Sequence, residues 1–545
     1  VTTVAAGPPP PGAEVDGVFV GGGHNALVAA TYLAHAGVRV LVLESAPRAG
    51  GGLYGGAITL PGFHHPLGAY FSRWTPGYRI ARDLDLDRHG LSTVLPDVQT
   101  ALPLSSGGGL VTYRSVLATA DAIAQFSKRD ARRYAKEYPA FEEIALRVIA
   151  PLRFAAPLPR GERDALLEQS DLGRRFLALE RRAPLDVVRD LFEHEVVRAL
   201  VLFHVATRGY LPVLDVPGTG YMVAQALVAS HTTVVHPGGP PAAARALVSA
   251  LTSAGGAVAT SSTVARIVVE DGRAAAVELA DGRRVRARRF VCSSLPPALT
   301  LGRLVEARHL TPELRRVAEG AHAQEDCLFG VHLALREAPR YRGVAAHADL
   351  HRALNHCVGY ESSGDLLREM VAVRAGAARG AALQGAVPSL FDPGAAPPGS
   401  ATAFAWTFVP RVPEGGGPAR WDGPAAAALA DAVLERWRAY APNLGSAELA
   451  RAIHSPRDTE RAVPSMILGD RHHGSYHPDN YDDNRPSPAL SGYATPIPGL
   501  YLCGASTYPG GSFTGQPGYN AATRIARDLG VRAWWGPRTV REALG

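Results

Sequence analysis

The chain has 545 residues, 46% of them hydrophobic and 19% charged, a composition that indicates a packed globular protein too long for one typical core, so two domains are expected. The net charge of +6 does not read as a nucleic-acid footprint: Lys128 and Lys136 are the only lysines, and the arginines are interleaved with Asp and Glu. No apolar run approaches the ~18 residues needed to span a membrane. A basic face for acidic lipids or acidic substrates is the minor alternative.

The first segment, 1–14, has a proline cluster and reads as a disordered lead-in, not a secretory signal. Val18-Phe19-Val20 then suits a buried strand, a helix follows to about Ala36, Gly37 stops it, and Val38–Glu44 is a second buried strand. Between the first strand and the helix, Gly21, Gly23 and Ala26 fill the pattern G-x-G-x-x-G/A. The first glycine permits the turn, the second lets a pyrophosphate approach the backbone, and the third position must be small for helix–strand packing. The helix N-terminus, at His24 and Asn25, offers free N–H groups to an anion. Glu44, 21 residues past Gly23, stands where an acid accepts from ribose hydroxyls. Strand, glycine turn, helix, strand and acid together predict a dinucleotide site.

Arg48 and the run Gly50-Gly51-Gly52 come next. This E-x-x-x-R-x-G-G arrangement resembles the flavoprotein family of amine oxidases, phytoene desaturases and protoporphyrinogen oxidases. Far downstream, Ile497–Ala522 reads as a strand, a glycine-rich loop and a helix starting near Pro517-Gly518. That wording is similar to phytoene-desaturase-like oxidoreductases, including the pyridine nucleotide-disulfide oxidoreductase domain 2 type, as are Leu60–Phe71, Val387–Gly399 and Ser261–Ser294. The resemblance implies an α/β fold: a Rossmann-like, glutathione-reductase-like FAD-binding domain with a discontinuous α+β substrate domain. It assigns 15–112, 216–298 and 490–530 to the FAD domain, 113–215 and 299–489 to the substrate domain, and 531–545 to a C-terminal tail.

The same resemblance implies FAD as cofactor. Its contacts fall on Gly21, Gly23, His24, Asn25, Ala26, Glu44, Ser45, Arg48, Gly51, Gly52 and Leu53, on Val264, and on Gly504, Ala505, Gly515, Gln516, Gly518, Tyr519 and Asn520. A helix N-terminus at the flavin would stabilise the anionic reduced ring. His64, His65 and His473 are candidates for the base that takes the proton lost with hydride transfer. Tyr70, Tyr508 and Phe513 are candidate substrate contacts.

Elsewhere the sequence predicts helices over much of 113–215, a helix at Ala242–Ala254, and a strand at Ala257–Ala259. Hairpin strands turn at Asp271-Gly272 and Asp281-Gly282, followed by a strand at Ala401–Pro410 and a helix at Ala425–Tyr440. Trp534 and Trp535 read as a tail docked on the body, the alternative being a membrane-surface or subunit contact. Cys292, Cys327, Cys357 and Cys503 form no C-x-x-C pair and fit a reduced, cytoplasmic protein. His472, His473 and His477 lack a metal-ligand pattern, so no metal is expected.

The predicted activity is dehydrogenation of a C–C bond in a largely apolar small molecule, with hydride passing to flavin N5 and oxygen or a quinone as electron acceptor. Three other readings are an amine or alcohol oxidase, a redox-neutral isomerase, and a non-catalytic binding protein like the GDP-dissociation inhibitors. Neither lysine falls in a flavin-proximal segment, which counts against a standard amine oxidase.

Overall fold

The computed structural model describes residues 12–320, 323–343 and 348–544. Most of the expected lead-in lies outside the described residues, and Glu14 already begins the first strand.

Seven strands make the first sheet: β1 (Glu14–Val20), β2 (Val40–Leu43), β3 (Ala257–Ala259), β4 (Val264–Glu270), β5 (Arg273–Leu279), β6 (Arg284–Ser293) and β7 (Leu500–Leu502). The order β3-β2-β1-β6-β7 is parallel throughout. The register sets Val20 against Leu43 and Ser293, Leu43 against Ala259, and Ser293 against Leu502. The five strands therefore end at one level, and a single rim receives every loop that leaves them. The hairpin β4–β5 joins antiparallel to the first half of β6.

Three helices cover this sheet: α1 (His24–His35), α2 (Pro240–Ser253) and α3 (Gln516–Asp528). Helix α1 packs against both others and is buried from Asn25 to Ala34. Its alanine-rich sequence suits this enclosure, because small side chains let helices approach closely while still excluding water. Gly518 of α3 marks the tightest approach: a Cβ there would lie 2.1 Å from the Asn25 carbonyl oxygen.

The second sheet runs 448–454, 326–335, 401–410, 383–386, 355–358, 98–103, 109–113. It is antiparallel except where Asn355–Val358 meets Val98–Pro103. Beside it, helices Lys128–Ile144, Pro184–Leu191, Glu195–Val205 and Met222–Ala229 share an apolar core that includes Phe141, Val188, Phe203 and Leu227.

Two expected domain boundaries move. Strands Val98–Pro103 and Gly109–Tyr113, placed by sequence in the FAD domain, complete the second sheet instead. Helix Met222–Ala229, also placed there, packs on Lys128–Ile144 and Glu195–Val205, because its apolar face matches theirs. The tail docks on the body: Trp534 Nε1 donates to the Tyr32 carbonyl at 3.1 Å, and Trp535 Nε1 donates to Thr523 Oγ1 at 3.1 Å.

Candidate functional site

A cleft of about 390 Å³ opens above the rim where the parallel strands end. Parallel α/β sheets place ligands there because loops diverge and helix N-termini point inward. Gly21 holds φ +87°, and a side chain at this turn would meet Ser294 Oγ at 2.6 Å. Gly23 differs. It caps α1 in extended geometry (φ −64°, ψ 160°), no side chain caps the helix, and a Cβ added there would meet no protein atom within 4 Å. Its missing side chain leaves room in the cleft in front of unsatisfied N–H groups. Asn25 Oδ1, buried at the same helix end, also lacks a partner. Glu44 is fixed by its neighbours: Oε2 accepts from the Gly22 amide at 2.7 Å, and Oε1 accepts from the Ala46 amide at 2.8 Å.

Of the residues singled out from sequence, Gly21, Gly23, His24, Asn25, Glu44, Ser45, Arg48, Gly51, Gly52, Leu53, Val264, Gly504, Ala505 and Gln516 line the cleft. So do Tyr70, Phe513 and His473. Five expected cofactor contacts do not. Ala26 is buried in α1, and Gly515 and Gly518 serve helix entry and helix packing. Tyr519 packs edge-on against Tyr32 and accepts from Arg79, and Asn520 donates to the carbonyls of Arg153 and Ala155. Only the first residue of α3, Gln516, faces the cleft, because the helix axis then carries the next turn toward α1.

The structure also moves three expected site residues away. His64 is exposed and its amide donates to the Ala395 carbonyl. His65 belongs to a two-residue strand paired with Gly55-Gly56, and this pairing turns it from the cleft. Its Nε2 meets Thr59 Oγ1 at 2.8 Å, its ring lies edge-on to His332, and burial lowers its pKa to about 4. Tyr508 is buried against Tyr481. His473, by contrast, sits at the cleft with Nδ1 unpartnered, and burial outweighs Asp470 to bring its pKa down to about 4.

The other half of the cleft is walled by Tyr70, Phe71, Leu328, Leu354 and Trp406 from the second sheet and the loop beside it, and by residues of the helical cluster. Arg73, Arg153 and Arg208 reach into this half. With the Gln225 amide turned to satisfy both ends, its oxygen accepts from Arg73 Nη1 at 3.0 Å and from Arg153 Nη1. Burial, then the neighbouring Arg153, lowers Arg73 to about 10. Burial and both of the other guanidiniums push Arg208 well below the ordinary value. Burial opposes Arg153 as well, but the phenols of Tyr481, Tyr210 and Tyr221 hold it high. Arginine keeps its proton under such stress, so this half of the cleft carries an uncompensated positive field.

The sequence profile of the NAD(P)-binding Rossmann-like domain family matches residues 20–84. The chain is 30% identical over 562 residues to pyridine nucleotide-disulfide oxidoreductase domain-containing protein 2 of Mus musculus, covering 95% of this chain and 94% of the relative. The chain belongs to that protein's family. A limonene dehydrogenase component of Castellaniella defragrans is 28% identical over 536 residues, covering 96% of each chain. Among solved structures, a putrescine oxidase triple mutant with redesigned cofactor binding superposes with a TM-score of 0.62 at 16% identity, covering 95% of this chain and 99% of that one; it shares the fold.

These relatives make the chain an oxidoreductase of the flavoprotein type, and its cofactor is FAD. The residues present fit that group. Gly21, Gly23 and the α1 N-terminus would hold the diphosphate, Glu44 the ribose, and Gly52, Leu53, Ala505 and Gln516 the ring system. Sequence reasoning missed the three arginines and Gln225. One signal was available: Arg208 is the sole full charge between Arg198 and Asp215, a stretch otherwise rich in Leu, Val and Phe.

Proposed function

We propose that the protein dehydrogenates a carbon–carbon bond of a largely apolar small molecule. The observation that carries this reading is the wall of Tyr70, Phe71, Leu328, Leu354 and Trp406 facing the cofactor half of the cleft. Burying ~150 Å² of apolar substrate against such a wall is worth about 4 kcal/mol. Bound FAD supplies the two-electron oxidant. The protein's part is to hold the substrate, exclude water and take up the proton. We assign that last step to the His473 imidazole, which lines the cleft and is neutral at neutral pH.

The name limonene dehydrogenase supports a hydrocarbon-like substrate. An amine substrate fits less well despite the shared fold with putrescine oxidase. An ammonium group would enter a cleft half that already holds three guanidiniums, and like charges at low dielectric repel strongly. The test is anaerobic mixing of the yellow holoenzyme with saturated and partly unsaturated apolar compounds, and separately with amines and alcohols, following loss of the visible flavin band. Bleaching by amines alone, with peroxide released in air, would replace this reading with that of an amine oxidase.

A further inference from the structure

Three segments far apart in sequence bring Arg73, Arg153 and Arg208 to one half of the cleft. Other enclosed arginines, among the described residues, meet carboxylates or a full set of backbone carbonyls at the guanidinium tips, although Arg485 Nε and Arg471 Nη1 are also without a partner. Arg163 pairs with Asp164, Glu180 and Asp482, Arg471 pairs with Asp326, and Arg485 donates to the backbone carbonyls of His472, Gly474, Ser475, Asn480 and Ala505. Among the described residues, the three cleft arginines have no carboxylate partner. Their bonds go to neutral groups: Arg208 to the His204 carbonyl, Arg153 to Tyr481 Oη, and Arg73 with Arg153 to the Gln225 amide oxygen. The Nε atoms of Arg153 and Arg208 are buried without any partner.

A second observation points the same way. His204 and His472, 5% and 4% exposed, line this half of the cleft, and His204 Nε2 and both His472 ring nitrogens lack partners. A site built only for hydrocarbon would not hold so many unpartnered polar atoms in its wall, since each unmet buried polar group costs stability. The guanidinium fork is shaped for two-point binding of an oxyanion.

We propose that the substrate is amphipathic: an apolar body carrying an oxyanion head, a carboxylate or a phosphate ester, bound by Arg73, Arg153 and Arg208. This rests on the dehydrogenase reading only for the chemistry, not for the binding. The apolar body lies on the Phe71 and Trp406 wall, and the head group fixes which carbon–carbon bond meets the cofactor. The diphosphate cradle of Gly21, Gly23 and the α1 N-terminus is built from other elements, so these arginines are left for a second anion.

Decanoate, decyl phosphate and decanol are titrated into the FAD-loaded enzyme at equal ionic strength, reading the perturbation of the visible flavin spectrum. Decanoate or decyl phosphate should bind about ten- to hundredfold more tightly than decanol, and added chloride should weaken the acids but not the alcohol. Whichever acid binds more tightly identifies the head group. Arg208→Gln should remove the preference with FAD content unchanged, and Arg208→Lys should keep part of it. Equal affinity for the acids and decanol overturns the proposal, and this comparison needs no variant. So does Arg208→Gln losing FAD while keeping its acid preference, which would assign the cluster to the cofactor. Tight acid binding without oxidation of any carbon–carbon bond would instead sink the dehydrogenase reading and leave the anion site standing.

Discussion

Gly23 offers a clean separation of folding from cofactor binding. Its backbone, φ −64° and ψ 160°, is open to any L-residue, and a methyl group there touches no protein atom within 4 Å. Gly23→Ala should therefore leave the apo-protein as stable as before, or raise its stability by up to ~1 kcal/mol through the unfolded chain. The same methyl group projects where the diphosphate must approach the free N–H groups of α1. Blocking one charge-assisted hydrogen bond costs about 1.5–3 kcal/mol, which weakens FAD binding roughly ten- to hundredfold. The assay is reconstitution of apo-protein with FAD followed by flavin fluorescence quenching, beside a urea unfolding curve of the apo-form. Unchanged FAD affinity would refute the placement of the diphosphate at this helix end, and a destabilised apo-form would refute the claim that the position is open.

Gly518→Ala should behave in the opposite way, destabilising the fold by about 3 kcal/mol or more as the new methyl group meets the Asn25 carbonyl; an unchanged thermal melt would contradict the close crossing of α1 and α3. His65 is buried with a pKa near 4 against an ordinary 6.5, so the unfolded chain binds the extra proton first as pH falls. Its contribution is full above about pH 6.5 and lost toward 4, about 2 kcal/mol by pH 5. His65→Gln should accordingly narrow, without closing, the gap between urea midpoints at pH 7 and pH 5. Turnover should hold as pH is lowered from 7 and fall only on an acid limb near 4, where His473 takes a proton. His473→Gln should abolish that limb and cost about 10²–10⁴ in kcat; a limb unmoved in the variant would clear His473 of the role.

The βαβ unit was legible because its demands are local. A tight turn, a close backbone approach and a second strand each leave a mark within thirty residues, and Gly21, Gly23 and Glu44 carry it. The Asp271-Gly272 turn was legible for the same reason, with φ values of +49° and +74°. Long-range placement was not. Sequence alone does not show that Val98–Pro103 finds its partner at Asn355–Val358, or that Met222–Ala229 prefers other helices to the first sheet. The places of His64 and His65 were not legible because resemblance of the Leu60–Phe71 segment to the family does not fix which way His64 or the two-residue strand His65–Pro66 faces. The arginine cluster escaped because its members are distant in sequence, and Arg73 and Arg153, unlike Arg208, look alone like surface charges.

The seat of β7 beside β6 has a consequence for biosynthesis. More than two hundred residues separate Ser293 from Leu502, yet they are neighbours in one sheet. A nascent chain must therefore carry an unfinished edge, with β6 open on one side, until Leu500–Leu502 leaves the ribosome. Cofactor capture waits for this segment, and a fragment stopped before residue 500 should emerge colourless however well its leading portion folds.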